Sequence, residues 1–180
     1  MVGSDQLWSP SGITSNFYNL MFASDSCTKI SYATSFGVSQ IEQRYHKIYK
    51  NFLDRLDFIS VRENSGKAIV DELSVNNAIV VCDPVILLDA DEWLEEIPNK
   101  RLYDEPYIFA YFLGKSQEYR NAVTKFSKEK NLKIVTEIHM DSYNKADEGF
   151  GDYTPFDIGP TEFVNLIRNA EYVFTDSFHG

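Results

Sequence analysis

The final segment of the chain, residues 175–180 with the sequence TDSFHG, brings together residue types that can bind an anion and transfer a proton. It follows a helix-like stretch and a short apolar run at 172–174, which predicts helix, buried strand and polar turn in that order. In open α/β sheets, ligands bind at this carboxyl end of a strand. A histidine side chain can donate to a phosphate or pass a proton, which makes His179 a candidate, although a histidine in such a turn can also simply cap a helix.

A second candidate is Arg62, which ends the apolar segment 58–62 and is followed by the sequence ENSG. An arginine at the carboxyl end of a strand, beside a helix N-terminus, can hold a carboxylate or phosphate through two parallel hydrogen bonds. Asn64 or Ser65 can cap that helix. The alternative is a surface arginine paired with Glu63 or Asp57, and position alone does not separate the two.

Other small and polar residues occupy strand-to-loop positions, but each has an ordinary structural explanation. Gly3 and Gly37 would let the backbone approach a ligand, although most such glycines only turn the chain. His139 lies at the start of a long polar loop at 141–158, and loops of that length are usually functional or mobile. His46 lies on a charged helix and is expected to be solvated.

Several classes of function lack their motifs. The sequence contains no GxGxxG, GxxxxGK[ST], HExxH or GxSxG pattern and no cysteine–histidine cluster, so dinucleotide, P-loop, zinc-protease and hydrolase sites are unsupported. The triplet DAD at 89–91 lies in an acidic stretch and is expected to be solvated, so we expect no metal site. The formal net charge of −10 argues against a nucleic-acid partner, and an anionic substrate would need a local cluster of cationic or N–H groups.

Alternating strands and helices must position these residues. Apolar and β-branched segments predict strands at 29–34, 58–62, 78–82, 107–113, 132–136 and 172–174, of which the third is expected to be buried on both faces. Amphipathic or charged segments predict helices at 41–56, 64–73, 117–130 and 161–170. This alternation is typical of parallel α/β packing.

A shift in composition divides the chain. Residues 1–88 predict one partial Rossmann-like lobe, the acidic segment 89–105 predicts a linker between lobes, and residues 106–180 predict a second partial lobe. The second lobe has only three strands, and its last strand has no helix to cover it. We therefore expect a piece of a longer protein, truncated at both ends.

Composition and cysteine spacing indicate the cellular compartment that we expect for the protein. The chain is 43% apolar and 14% aromatic, which is enough to build a core. No run approaches the roughly 20 apolar residues of a membrane span, and the N-terminus lacks the features of a secretory signal. Cys27 and Cys82 are far apart and outside any CxxC spacing, so we expect two buried free thiols in a cytosolic protein rather than a disulfide.

Five segments, taken together and in order, carry a more specific signal. They are GSDQLW at 3–8, ISYATSFG at 30–37, ISVRENSG at 59–66, DPVILLD at 83–89 and TDSFHG at 175–180. Their order and spacing resemble the polysaccharide pyruvyl transferase family over nearly the whole chain. Each motif alone is weak, whereas the ordered set is fairly specific.

The resemblance implies a fold and a reaction. Members of the family have two Rossmann-like lobes with parallel sheets, of the GT-B type, and they transfer the enolpyruvyl unit of phosphoenolpyruvate to two hydroxyls of a sugar to leave a cyclic ketal. Phosphoenolpyruvate is the donor substrate, and no cofactor is implied. The acceptor would be a nucleotide- or lipid-linked sugar of a cell-surface or exopolysaccharide in the bacterial cytoplasm. A lipid-linked acceptor would allow peripheral association with a membrane.

The resemblance also implies roles for individual residues. Arg62 matches the arginine of the family's Arg-x-x-Ser motif and would anchor the carboxylate or phosphate of the donor. His179 would bind the leaving phosphate and supply a proton, Ser65 would cap the helix that points at the donor, and Gly180 would allow close approach of the backbone. The remaining substrate-binding candidates in the matching motifs are Gly3, Asp5, Gly37 and Ser177.

Ser177 departs from the family pattern. Many members carry a basic residue two positions before the histidine, so one anion-binding charge is missing or is supplied from elsewhere. A charged hydrogen bond of this kind contributes about 1.5–3 kcal/mol to binding.

Two other functions remain open from the sequence. One is a GT-B glycosyltransferase that uses a nucleotide sugar, for which the chain has carboxylates and aromatic residues but no spacing that selects them. The other is an inactive piece of a pyruvyl transferase that cannot close its cleft.

Overall fold

The computed structural model describes residues 1–140 and 142–180, and the chain divides into two compact units, Met1–Asp89 and Ala90–Gly180. The first unit contains three strands and two α-helices: β1 Ile30–Thr34, α1 His46–Leu53, β2 Phe58–Val61, α2 Asn64–Leu73 and β3 Ala78–Val80. Short 3-10 helices cover Ile13–Ser15, Gln43–Tyr45 and Pro84–Ile86. The strands are parallel in the order β1-β2-β3, and Val2 adds a parallel bridge to Ser31 on the other side of β1.

The core of the first unit lies between the sheet and its helices. Trp8 is fully buried, and its ring packs against Phe36 and Phe52 at centroid distances of 5.3 Å. The hydroxyl of Tyr49 donates to the carbonyl oxygen of Trp8 at 2.6 Å. This packing fixes the segment 3–8 against β1 and α1.

Two local predictions for the first unit are wrong. The strand at 78–82 was expected to be buried on both faces, but β3 is an edge strand in which Ile79 is 63% exposed and Val80 41% exposed. Neither Asn64 nor Ser65 caps α2, because the helix begins one residue earlier than the capping prediction requires. Glu63 is the N-cap residue, and its side chain makes no capping hydrogen bond.

The second unit has its own parallel sheet. Its elements are α3 Ala90–Glu96, β4 Tyr107–Tyr111, α4 Gln117–Lys130, β5 Lys133–Thr136, α5 Pro160–Arg168 and β6 Tyr172–Thr175, with a 3-10 helix at Lys145–Asp147. The strand order is β5-β4-β6. The central strand β4 pairs in parallel with β5 on one side and with β6 on the other.

Alternate residues of β4 pack into two separate clusters. Ile108 and Ala110 pack in a cluster with Val123 of α4, whereas Tyr107 and Phe109 pack in another with Leu166 of α5. Because successive strand residues point to opposite faces, α4 and α5 cover opposite faces of the sheet. The predicted parallel α/β packing is thus confirmed, and the second unit is doubly wound in the Rossmann-like manner.

The long loop at 141–158 is partly tied to the sheet. Its first residue, Asp141, lies outside the described residues. Tyr153 forms a parallel bridge to Val135, and the backbone N–H of Asp152 donates to the carbonyl of Ile134 at 2.8 Å. The loop therefore runs beside β5.

Cys27 and Cys82 are both free, as expected, but the prediction that they are buried is wrong, because both are exposed. Cys27 lies in the loop before β1 and Cys82 lies just after β3, both outside the helices and strands. Within the described part of the chain, no helix combines the length and apolar character that crossing a bilayer requires.

Candidate functional site

Four of the five sequence motifs meet at the carboxyl edge of the first sheet. The backbone N–H of Ser35 donates to the carbonyl of Asp5 at 2.8 Å, and the backbone N–H of Trp8 donates to the carbonyl of Ser35 at 3.1 Å. The backbone N–H of Phe36 donates to Oε1 of Glu63 at 3.3 Å. Hydrogen bonds therefore join the segments 3–8, 30–37 and 59–66 directly. The fourth segment, 83–89, is joined to them by the contact between Arg62 and Asp83.

Arg62 is held among three carboxylates. Its Nη1 donates to Oδ2 of Asp83 at 2.9 Å, and this pair is nearly buried, with side chains 8% and 5% exposed. Nη2 lies 3.3 Å from Oδ1 of Asp5, and Nε lies 3.6 Å from Oε2 of Glu63. The alternative was a surface arginine paired with Glu63 or Asp57. The surface position is wrong, because the side chain of Arg62 is mostly buried, but the pairing with Glu63 is present. Asp57 instead accepts from the backbone N–H of Lys29.

The three carboxylates differ in how firmly they hold Arg62. Asp83 is fixed, because its other oxygen accepts from the backbone N–H of Val85 and caps the 3-10 helix Pro84–Ile86. Asp5 is 63% exposed and lies at a long hydrogen-bonding distance. An incoming anion would therefore compete with Asp5 rather than with Asp83.

The small residues of this edge serve the local packing. Gly3 has a φ of +134°, and a Cβ there would overlap the carbonyl oxygen of Tyr32, so the close approach to β1 requires glycine. A Cβ on Gly37 would lie 2.9 Å from the side chain of Gln6. Ser65 lies in the first turn of α2 and is partly buried.

The fifth motif lies at the carboxyl edge of the second sheet, at its topological switch point. Asp176 follows β6, and its two oxygens accept from the backbone N–H groups of Leu113 at 2.7 Å and Gly114 at 3.0 Å, which follow β4. The next two strands in the chain, β5 and β6, lie on opposite sides of β4, and open α/β sheets bind ligands at a point where the strand order reverses in this way. Asp176 joins the segments after β4 and β6 at that point.

Ser177 organises the turn that carries His179. Its Oγ accepts from the backbone N–H of His179 at 3.3 Å and of Gly180 at 3.2 Å, while its own N–H donates to Oγ1 of Thr175 at 2.9 Å. His179 is exposed. A Cβ on Gly180 would lie 2.9 Å from Cδ1 of Tyr111, so the end of the turn lies against that ring. A hydroxyl thus takes the place of the expected basic side chain and shapes the turn.

Glu137 follows β5 at the same edge. Burial raises the pKa of its carboxyl above the usual value of 4.5. Its Oε1 is buried, and among the described residues no donor reaches it. Burial, together with the negative charges of Glu137 and Asp176, also raises the pKa of the neighbouring Tyr111 hydroxyl.

A chain of polar contacts from Arg120 through Asp147 to His139 holds the segment after β5. Arg120 on α4 is 2% exposed, and its Nε and Nη2 donate to Oδ1 of Asp147 at 2.9 and 2.6 Å. The other oxygen of Asp147 lies 2.7 Å from Nδ1 of His139, whose Nε2 lies 2.9 Å from the carbonyl of Leu113. Both ring nitrogens of His139 therefore face acceptors.

These contacts shift the pKa values of His139 and Asp147. The hydrogen bond to the Leu113 carbonyl, followed by the bond to Asp147, raises the pKa of His139 above 6.5. Burial alone would raise the pKa of Asp147, but the bonds from His139 and Arg120 outweigh it and leave the pKa lowered. His139 thus fastens the segment after β5 to Asp147 and to the carbonyl of Leu113.

Sequence reasoning missed several of these residues. Asp83 and Asp176 lay inside recognised motifs but were not singled out, and their position beside a strand end was the available signal. Arg120, Glu137 and Asp147 carried no local signal, because their roles depend on partners distant in sequence. The expectation that His46 is solvated is wrong, since its Nε2 lies 2.9 Å from the carbonyl of Ile41 and the residue is partly buried.

Among the described residues, no group of three or more histidine, cysteine, aspartate or glutamate side chains is arranged to hold a metal ion. The polar side chains described at the two edges carry arginine, carboxylate, imidazole and hydroxyl groups.

Comparison with known proteins identifies one family. The model of a family described as "Polysaccharide pyruvyl transferase" matches residues 1–180, the whole chain. Neither the search of curated proteins nor the search of solved structures found a match.

Proposed function

The chain belongs to the polysaccharide pyruvyl transferase family, and from this we propose that it transfers a pyruvyl group from phosphoenolpyruvate to a sugar of a cell-surface or exopolysaccharide, forming a cyclic ketal. The observation that carries the proposal is the family match over all 180 residues. The convergence of the segments 3–8, 30–37, 59–66 and 83–89 at one sheet edge supports it. The GT-B type of fold is part of the same proposal.

The proposed reaction is an addition followed by a substitution. One sugar hydroxyl adds to the central carbon of the donor while the methylene carbon takes a proton and becomes a methyl group. The bond from that carbon to the phosphate oxygen then breaks, and a second hydroxyl completes the ketal. Two hydroxyl protons are lost, one is gained by the methyl group and one leaves with phosphate. This acid–base chemistry calls for no separate cofactor.

Arg62 is the proposed anchor for an anionic group of the donor. The guanidinium is already oriented by Asp83, so little ordering is needed on binding. Its Nη2 contact to the exposed Asp5 is long, and we propose that the donor takes over this contact. Gly3, Gly37 and Ser65 would shape the backbone around it.

His179 is the proposed ligand of the leaving phosphate and the proton donor to the methylene carbon. Ser177 holds the backbone of the turn, and its hydroxyl hydrogen remains a candidate donor to the phosphate. Gly180 allows the turn to lie close to Tyr111. The missing basic residue at Ser177 predicts weaker binding of the donor than in relatives that carry one.

The acceptor is proposed to be a nucleotide- or lipid-linked sugar in the bacterial cytoplasm, with peripheral membrane association if the carrier is a lipid. No nucleic-acid partner is proposed, because the net charge of −10 opposes one.

Calorimetric titration with phosphoenolpyruvate tests the donor, with uridine-diphosphate hexose as the rival ligand. We expect saturable binding of phosphoenolpyruvate that is lost in Arg62→Lys and His179→Gln. Lysine keeps the charge but not the planar, two-point geometry of arginine. The matched controls are Arg44→Lys and His46→Gln, which change the same residue types away from both sheet edges.

Each outcome assigns the protein differently. Loss of binding in the two site variants with normal binding in the controls supports the pyruvyl transferase proposal. Binding of the nucleotide sugar alone would make the protein a glycosyltransferase of GT-B type. Binding of neither ligand would favour an inactive member of the family.

A further inference from the structure

The second unit contains a cleft that the proposed donor site does not use. It has a volume of about 390 Å³. Its lining consists of residues 111–113, which begin at the last residue of β4, and residues 137–140, which follow β5. Parallel strands place their carboxyl ends at one edge, so this cleft lies at the same edge of the sheet as the 175–180 motif. Aromatic and apolar side chains form most of its wall, with Glu137 and His139 as its ionisable groups apart from Tyr111.

Glu137 is the unusual group in this cleft. Its Oε1 is shielded from solvent and has no hydrogen-bond donor within reach among the described residues. The other well-buried carboxylates near strand ends, Asp83 and Asp147, are instead paired with Arg62 and Arg120. A buried acceptor without a donor reduces stability, and such groups are concentrated at sites that bind or react.

The position of Glu137 is well defined. Two residues further on, the backbone N–H and Nδ1 of His139 both bond to Asp147, at 3.2 and 2.7 Å, and Asp147 is held by the buried Arg120. The segment after β5 is thus tied to α4 on one side and to the carbonyl of Leu113 on the other. These bonds fix the backbone beside Glu137, and a functional side chain on a fixed backbone is held closer to a productive geometry.

We infer that Glu137 accepts a hydrogen bond from a hydroxyl of the sugar acceptor and removes its proton as that hydroxyl adds to the donor. This inference rests on the proposed function. The hydroxyl O–H bond breaks and its proton moves to the carboxylate of Glu137, while the hydroxyl oxygen forms a bond to the central carbon of phosphoenolpyruvate. The electron pair of the carbon–carbon double bond takes the proton that His179 supplies. Glu137 returns its proton to the departing phosphate, and the proton that the second hydroxyl loses as it closes the ketal restores His179.

The surroundings of Glu137 suit this role. Because burial raises its pKa, its carboxylate is a stronger base than an exposed glutamate, and a base is most effective when its pKa approaches the working pH. The titratable groups around it are Tyr111 on β4, His139 on its own segment and Asp176 after β6. The exposed side chains of Leu113 and Met140, which line the cleft, offer apolar surface to the C–H faces of a sugar ring.

Two variants separate this role from a structural one. Glu137→Gln removes the base and keeps the size, and Glu148→Gln is the matched control, because Glu148 lies on the same loop and is exposed. The first measurement is a carbon-13 NMR titration of protein labelled at the glutamate side-chain carboxyl. We expect one resonance to titrate above the ordinary glutamate range, to vanish in Glu137→Gln and to persist in Glu148→Gln.

Adding methyl hexopyranosides with free 4- and 6-hydroxyls (the galacto, gluco and manno forms) should shift that resonance. A resonance that responds to none of the three sugars overturns the inference. This readout does not depend on phosphoenolpyruvate, so failure of the donor proposal in calorimetry is distinguished from failure here.

With a sugar that the protein pyruvylates, Glu137→Gln should lower kcat by about 10²–10⁴-fold, the usual contribution of a general base, and remove the acidic limb of the pH profile. Affinity for phosphoenolpyruvate should remain within threefold of the wild type. Activity of Glu137→Gln within threefold of the wild type, with the acidic limb intact, overturns the inference.

Discussion

Arg62 and Asp83 form a nearly buried ion pair, with Nη1 of the arginine 2.9 Å from Oδ2 of the aspartate, between two segments that lie 21 residues apart. The pair joins the end of β2 to the turn after β3. It also gives the guanidinium a fixed orientation, which a two-point anion contact requires.

Removing the negative charge of Asp83 should destabilise the first unit. Asp83→Asn keeps the shape and the acceptor for the Val85 N–H but removes the charge that Nη1 of Arg62 contacts, while the longer contacts of Arg62 to Asp5 and Glu63 remain. We expect a loss of about 2–3 kcal/mol in the free energy of unfolding, below the usual cost of breaking a buried pair because two carboxylates remain. Urea denaturation measures it, with the exposed pair variant Asp71→Asn as a control that should leave stability unchanged. Equal stability of the two variants would contradict the prediction.

Asp5 should oppose binding of the donor. If phosphoenolpyruvate takes over the Nη2 contact of Arg62, its negative charge approaches that of Asp5. Two charges at about 4 Å in water interact by about 1 kcal/mol, so Asp5→Asn should raise affinity for phosphoenolpyruvate roughly three- to five-fold. Calorimetry at low ionic strength checks this, because salt screens the repulsion. A lower affinity in Asp5→Asn would mean that Asp5 contacts the donor favourably.

His139 should contribute stability that depends on pH. Its pKa is raised in the folded state by the Leu113 carbonyl and Asp147, against smaller opposing effects of burial and of Arg120. A raised folded pKa means that the contribution is fully present below the ordinary value of 6.5 and is lost as the pH rises through the folded pKa.

The comparison of wild type with His139→Gln measures this contribution. The difference in free energy of unfolding should be larger at pH 5.5 than at pH 9, as measured by urea denaturation at each pH. His46→Gln controls for the general effect of removing a histidine. A difference that is constant with pH would show that His139 is neutral in the folded protein.

Glu137→Gln should stabilise the protein above the ordinary glutamate pKa. Burial raises the pKa of Glu137, so the folded state binds a proton more tightly than the unfolded state, and the ionised carboxyl lowers stability once the pH exceeds about 4.5. We expect a gain of about 1 kcal/mol at pH 8 from removing this unpaired charge, and no gain at pH 4. Thermal unfolding at both values checks it. A less stable variant at pH 8 would show that the carboxylate has a favourable partner.

The order of strands and helices could be derived from the sequence, because apolar periodicity reports the local geometry of each element. The placement of Arg62 and His179 after strands could be derived in the same way, because each follows a short apolar segment that predicts a strand. The five motifs identified the family, since their order does not depend on how the loops run.

Only the tertiary structure decided which charges meet. Arg120 and Asp147 lie 27 residues apart, and Asp176 lies 63 residues from Leu113, so no local pattern predicts these bonds. The exposure of β3 was likewise undetermined, because an apolar strand has the same sequence whether one or both of its faces are covered. The pKa of Glu137 and the partners of Arg62 follow from burial and from neighbours supplied by distant segments, and these exist only once the chain has folded.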